Sequence, residues 1–518
     1  MAVIMRGMIL TAFAMVAVVS PCESGTKHKP TKPVRITKAA IPVDQLTEQA
    51  TAPPKPSMTL NDALGIAYET NPDLAAAQAG LRASDEQVAQ ANGAWRPTIS
   101  LDASYGIQQY FFPVPITGQG IIQTPSPKTA GASNSSQQVV NESITDHPLN
   151  GQLTISQPLF RSGRTIAEIS RAKALVRAAR AQLVASEQTI LLNAVTAYMN
   201  VVRDSAIVSL REHNVEVLRR QYDSTQLEFK AGSLTRTDVA QSEARLAVAQ
   251  SDLTTARGQL SVSRADFVQS IGRPAETLEK SPAIPKVPNE EDAVLSLALK
   301  QSPALLQAQA NERAADYAVD DAWGAMGPTL SLQGQYQYSQ SVLNSVQGFS
   351  ASGSPESVAE HALVAEAQLH VPIYQAGVED ANIRQARELH SQSKLTVAST
   401  DRQVRDAVEA AWSNFQSALG TIDSNISTQK ADEIAFEGVS KEQQVGGRTV
   451  LDVLNAEQEL LNAQVALVSS QRNAVVAAYQ VLSASGGLTA KALGLKVKLY
   501  DPLEYYDNDA SAFIGFGG

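Results

Sequence analysis

The sequence predicts a mixed α and β membrane fold: four strands per chain meet lipid, and very long helices stand in water. Three observations predict it. The folded part of the chain is written twice. Each copy holds two segments of about 10 to 13 residues in which apolar and polar side chains alternate. Each copy then holds a proline-free helical stretch of nearly seventy residues and, after a glycine turn, a returning helix with heptads.

The bulk composition narrows the function classes. The chain has 518 residues and a net charge of -10, with no dense Lys/Arg run, which disfavours nucleic acid as a partner. A single cysteine, Cys22, excludes a disulfide framework and a cysteine zinc site. Aromatics make up only 5%, which suits long helices better than a thick globular core.

Residues 1–24 read as an export signal. Arg6 supplies the charge and Met8 to Val19 the apolar run, too short and wrongly flanked for a spanning helix. Cleavage is expected after Ser24. Lipidation of Cys22 is the alternative, and Pro21 directly before it fits that poorly. Residues 25–57 are rich in Pro, Lys and Thr and read as a flexible tether. No later stretch is apolar for 18 residues, so no transmembrane helix is expected.

The duplication follows from matched landmarks. Pro72 in ETNPDL matches Pro303 in KQSPAL, and Pro97 in WRPTISL matches Pro328 in MGPTLSL, both 231 residues apart. Pro158 in ISQPLFRSG matches Pro372 in LHVPIYQAG, and Tyr198 matches Trp412, both at 214. The 17 extra residues of the first copy fall between Pro97 and Pro158, where PSPKTAGASNSSQQ reads as loop. The first repeat spans 58–280, a proline-rich linker 281–291, the second repeat 292–487, and a sparsely patterned tail 488–518.

Each copy opens with helix: Leu60 to Tyr68 and Asp73 to Trp95 in the first, Asp292 to Trp323 in the second. Two strands follow. Ile99, Leu101, Ala103, Tyr105 and Ile107 alternate with polar residues, as do Leu153 and Ile155 on the return. In the second copy Leu330, Leu332, Tyr336 and Tyr338 alternate with polar residues, and Leu363, Ala365, Ala367, Leu369 and Val371 form the return stripe. Long helices then run from about Ser162 to Lys230 and Gly377 to Gln444, each roughly 100 Å at 1.5 Å per residue. Val201, Val208, Val215, Tyr222 and Phe229 mark sevens on the outgoing helix. Val239, Leu246, Leu253, Leu260 and Phe267 mark them on the return, and Val453, Leu460, Leu467, Ala474 and Val481 on its twin. Sustained sevens mean coiled-coil packing. The two turns match: Gly232 with Gly446 and Asp238 with Asp452, with Gly447 beside the second glycine. Glycine supplies the positive φ that such a turn asks for.

Strands of this length cross an outer-membrane hydrocarbon layer when tilted. Trp95, Phe160, Trp323 and Tyr374 sit near one end of the strands, and Tyr110, Phe111 and Phe112 near the other, as interfacial aromatics do. A soluble sandwich is the alternative. Four strands cannot close a barrel and lipid tolerates no open edge, so several copies must pool their strands. The helices, with polar outer faces, must project together into an aqueous space.

At this point the chain resembles the TolC family of outer-membrane efflux and secretion channels. The resemblance covers Met58 to about Asp507. It rests on the NP/SP helices, the WRP and MGP strand starts, QPLFRSG and VPIYQAG, and above all VGGRTVLDVLNAEQELLNAQ. The tail LTAKALGLKVKLYDPLEYYD is similar to that of the type I protein secretion branch. The resemblance implies a homotrimer, a twelve-stranded barrel in outer-membrane lipid and a twelve-helix periplasmic tunnel. It also implies docking to a periplasmic adaptor (membrane fusion) protein and an inner-membrane pump, ABC or proton-driven.

The resemblance further implies a gate at the tunnel tip. Arg448 matches the family's gate arginine, and Thr237 and Asp238 match its partners on the other hairpin. Asp452 matches a ring aspartate at the entrance. Asn455 stands where the family has a second ring aspartate, and Gln443 where it has a gate tyrosine. Asp238 and Asp452 also fall in the first turn of a helix, where acids are favoured for structural reasons alone.

Two rivals remain at the level of sequence. The six histidines form no HExxH, and no GxSxG or P-loop occurs, so neither an enzyme, a metal site nor a cofactor is expected. His361 and His370 lie on one strand at odd spacing and should face opposite sides. A periplasmic coiled-coil scaffold without a pore is the second rival, separated from a channel by its solubility without detergent.

Overall fold

The computed structural model describes residues 57–115, 139–280, 282–343 and 356–509. The export signal, residues 25–56 and the loop PSPKTAGASNSSQQ lie outside the described residues.

The duplication is visible element by element. The first copy comprises α1 (Leu60–Thr70), α2 (Pro72–Gly93), β1 (Thr98–Tyr105), β2 (Gln108–Pro115), β3 (Val139–Asp146), β4 (Leu149–Arg161), α3 (Arg164–Lys230) and α4 (Arg236–Ile271). The second comprises α5 (Glu291–Gln301), α6 (Pro303–Gly324), β5 (Thr329–Leu343), β6 (Glu356–His370), α7 (Val378–Gln444) and α8 (Val450–Ala484). A short α9 (Glu504–Asp509) follows. The single helix expected from Asp292 to Trp323 is two. Pro303 opens α6 at its first turn, where no amide donor is needed, and it pushes Ser302 to ψ 121°. Pro72 does the same to Asn71, also at ψ 121°. The matched prolines are therefore matched helix breaks.

α3 and α7 each run 67 residues without interruption, about 100 Å. Both start from two consecutive left-handed residues, Ser162 and Gly163 (φ 51° and 83°) and Ala376 and Gly377 (φ 52° and 77°). This pair swings the chain from strand into helix, and it explains the RSG and QAG at the same offset.

The four-stranded antiparallel sheet has the order β1-β4-β5-β6. Its register sorts side chains by face. Leu101, Leu153, Tyr336 and Leu363 form one cross-strand row, and Ile99, Ile155, Gly334 and Ala365 the next. The intervening row on the other face is Ser100, Thr154, Gln335 and Val364, followed by Asp102, Gln152, Gln337 and Ala362. One face is apolar and the other largely polar. The first strand pair is interrupted, which the sequence reading did not anticipate. Ile107 falls in a break opposite His147 and Pro148, bridged by Gly106 N–H to Pro148 O at 3.1 Å. Proline has no amide to donate to a ladder, so pairing stops there and resumes in a separate β2–β3 ribbon. A bulge between Pro158 and Phe160 has the same cause.

Among the described residues the two largest cores hold the helices. In the first, Leu64, Leu81, Leu191, Tyr198, Phe267 and Ile271 are buried together. The Tyr198 hydroxyl donates to Met58 O at 2.9 Å and accepts from Glu279 N–H at 3.0 Å. It thereby ties the start of the folded chain to the segment after α4. The tail, sparsely patterned in sequence, belongs to this core: Leu488, Ala490 and Leu495 are buried in it. The Ala490 amide donates to Glu187 at 2.7 Å, and the Tyr505 hydroxyl to Glu86 at 2.8 Å. The second core joins α5, α6, α7 and α8 around Val294, Val408, Phe415 and Val481.

Candidate functional site: the hairpin tip and the sheet face

The two helix hairpins turn by the same chemistry. At the end of α3, Gly232 has φ 82°, and Ser233 N–H reaches back to Glu228 O at 3.0 Å. At the end of α7, Gly446 has φ 81°, and Gly447 N–H reaches Glu442 O at 2.8 Å. Both bonds span five residues and close the helix on a left-handed glycine. Gln443 takes part through its carbonyl, which accepts from Gly446 N–H at 2.9 Å.

The returning helices start alike too. Thr235 and Asp238 cap each other, as do Thr449 and Asp452. Asp238 accepts from the Thr235 amide at 2.9 Å and its hydroxyl at 2.7 Å. Asp452 accepts from Thr449 at 2.9 and 2.8 Å. These bonds favour the ionised form. The Thr235 hydroxyl, then its amide, hold Asp238 below the ordinary carboxylate value. The Thr449 amide, then its hydroxyl, do so for Asp452. Both aspartates are therefore committed to helix starts within one chain.

Arg448 is engaged within its own hairpin. Its Nε donates to Glu442 at 2.9 Å, and that hydrogen bond and charge, with Asp452 nearby, raise its pKa further. Thr237 is exposed. Inside one chain, then, Arg448 and the Thr237–Asp238 pair are not joined. What joins the hairpins is different. Arg245 on α4 donates to Asn455 on α8 at 3.0 Å. Beside it, Val450 and Leu454 of α8 are buried against Leu218 of α3 and Ala249 of α4. Sequence reasoning singled out Asn455 and missed Arg245. Leu454 carries a visible signal, since it lies one residue after the heptad position Val453. The outgoing helix's heptad stripe loosens toward the tip: Val201 is buried, whereas Phe229 is exposed.

At the other end of the molecule, the sheet's apolar face has no covering layer among the described residues. Leu101 is 74% exposed and Leu363 82%. Trp95, Phe160, Trp323 and Tyr374 are exposed where the strands meet the helices. Tyr110, Phe111 and Phe112 lie in β2 and pair with Ile144, Ser143 and Glu142 of β3, and their side chains lie outside the described residues. Toward that end the described aromatics are Tyr105, stacked on His147, and Tyr336 and Tyr338 around His361. The Tyr336 hydroxyl lies 2.9 Å from His361 Nδ1. His361 shares the apolar face and His370 the other, as their spacing predicts.

A fold of this kind is known. The model of the outer membrane efflux protein family matches residues 127–273 and 294–487. Outer membrane efflux protein BepC of Brucella suis biovar 1 (strain 1330) is 33% identical over 453 residues, 87% of this chain and 90% of that protein. Outer membrane protein TolC of Escherichia coli (strain K12) is 25% identical over 59% of this chain and 63% of its own length. The crystal structure of VceC from Vibrio cholerae superposes with a TM-score of 0.64 at 19% identity, covering 83% of this chain and 96% of that one. The chain belongs to the outer membrane efflux protein family, and is an outer-membrane efflux or secretion channel protein of TolC-like fold with a large periplasmic part.

Proposed function

We propose that three copies of this chain form the exit duct of a tripartite type I secretion or efflux system. The duct is a passive conduit, shut at its periplasmic tip and opened by a periplasmic adaptor and an inner-membrane pump. One observation carries the reading. The sheet has one apolar and one polar face, and its outer strands β1 and β6 have no further partner among the described residues. Such edges are not tolerated in lipid. Copies that pair β1 of one with β6 of the next close the edges of the four-stranded sheet, and three copies give twelve strands.

The latch then runs between copies. Arg448 of one chain meets Thr237 and Asp238 of its neighbour, with Asp452 and Asn455 around the entrance. The half-exposed Arg448–Glu442 pair supports this, because it leaves the guanidinium's remaining donors open to a second acid. Gln443 stands where the family has a gate tyrosine and offers an amide there in place of a phenol. Exposed Leu227, Phe229 and Val445 near the turns give an adaptor apolar surface to grip.

Two measurements on the detergent-purified protein test the reading. Its mass should correspond to three chains, and single-channel conductance in a planar bilayer should rise in Arg448→Ala. Unchanged conductance overturns the latch. A monomer that stays soluble without detergent overturns the duct and favours the pore-free scaffold.

A further inference from the structure

Above the apolar contact between the hairpins, α8 carries a carboxylic acid that the latch does not use. Glu457 is only 7% exposed. It borders a cavity of about 90 Å³ on the seam between the hairpins, with Leu210, His213, Asn214 and Val217 of α3 on one side and Phe436 of α7 on another. His213 is the other titratable residue of that lining. From α7 only Phe436 reaches it, and α8 adds apolar groups and Gln464. Arg245 of α4 is spent two residues earlier, on Asn455. No ion pair to Glu457 forms among the described residues.

We propose that Glu457 is a protonation switch on this seam: neutral while the hairpins are packed together, charged when they part. The inference rests on the reading of the tip as a gate and names how that gate is regulated. Burial is the sole cause acting on the carboxyl, and it raises the pKa from 4.5 to about 7. Parting the hairpins returns the group to water. Below 4.5 the acid is protonated in both arrangements, and pH does not matter. Between 4.5 and about 7 it ionises only when the seam is open, so each step up in pH favours opening. Above that range both arrangements are ionised and the gain levels off. From pH ~5.5 to ~8 the linkage favours the parted seam by roughly tenfold or more per copy.

The test compares wild type, Glu457→Gln and Arg448→Ala in planar bilayers at pH ~5.5 and ~8. Open probability of the wild type should rise at least about tenfold across that interval, and more where the copies part together. Glu457→Gln, neutral at every pH and close in shape, should stay closed and flat. A Gln variant that keeps the wild-type profile overturns the switch, as does a wild type without one. Infrared difference spectra read the acid without any current. A protonated-carboxyl band present at the lower pH should be lost at the higher one and missing from the Gln variant. Should Arg448→Ala leave conductance unchanged, the latch fails, while the carboxyl band and the Gln profile still decide Glu457.

Discussion

Replacing Leu454 by alanine asks what holds the two hairpins together. The side chain is 2% exposed and packs on Leu218, Ala249 and Val450. Removing a fully buried leucine costs about 2–5 kcal/mol, the lost transfer energy plus the cavity left behind. Arg448 and Glu442 are 51% and 56% exposed, and an exposed pair contributes about 0–1 kcal/mol. The apolar seam should therefore outweigh the ion pair, which lies within one hairpin and does not bridge the two. At about 1.4 kcal/mol per decade, a loss near 3 kcal/mol speeds opening of the seam on the order of 100-fold. Hydrogen exchange of the amides from Val453 to Leu461 reads this directly, because those residues must separate from α3 to exchange by local opening. Leu454→Ala should accelerate them by about two decades and Arg448→Ala by less than one. Equal acceleration in the two variants, or none in the first, refutes the reasoning.

Two other outcomes follow from particular bonds. Tyr198→Phe keeps the ring beside Phe267 and removes the hydroxyl that serves Met58 and Glu279. Met58 O and Glu279 N–H keep their bond to each other at 3.1 Å, so losing the hydroxyl should cost about 0.5–1.5 kcal/mol and lower the melting temperature, and an unchanged melt would refute it. The Asp238 and Asp452 caps should hold throughout the neutral range and be lost only in acid. Both pKa values lie below the ordinary 3.8, so their stabilisation is present above that value and disappears as pH falls through the lower folded one. Exchange protection of the two helix starts that already falls between pH ~5 and ~4 would contradict this.

The architecture was legible because its causes are local and written twice. The prolines at 72 and 303 break helices, and the glycines at 232 and 446 turn them. Alternation at 99–105 and 330–338 sorts the two faces of the sheet. Each signal needs only a few neighbouring residues, so one sequence suffices. The tail was not legible for the opposite reason. Leu488 and Leu495 have no helical or strand period, and they are buried because α1 and α3 leave a place for them. The interruption at Ile107 escaped because its cause, Pro148, lies on the opposite strand.

The tip divides along the same line. Its caps and turns could be read from Thr235, Gly232 and their twins, yet the partner of Arg448 could not. Glu442 lies six residues before it and Asp238 on another hairpin, and spacing gives both as acids within reach of a long side chain. The structure assigns Glu442 to the isolated chain and gives both aspartates to helix starts. In each aspartate both bonds from the threonine fall on one oxygen, Oδ2, so the other carboxylate oxygen keeps its lone pairs for a neighbour's arginine. Within one chain the tip holds the Arg448–Glu442 pair, the Arg245–Asn455 bond and one apolar seam. In the proposed gate an adaptor would need only to compete for the seam, where Leu454 supplies the adhesion and Glu457, once ionised, the bias against it.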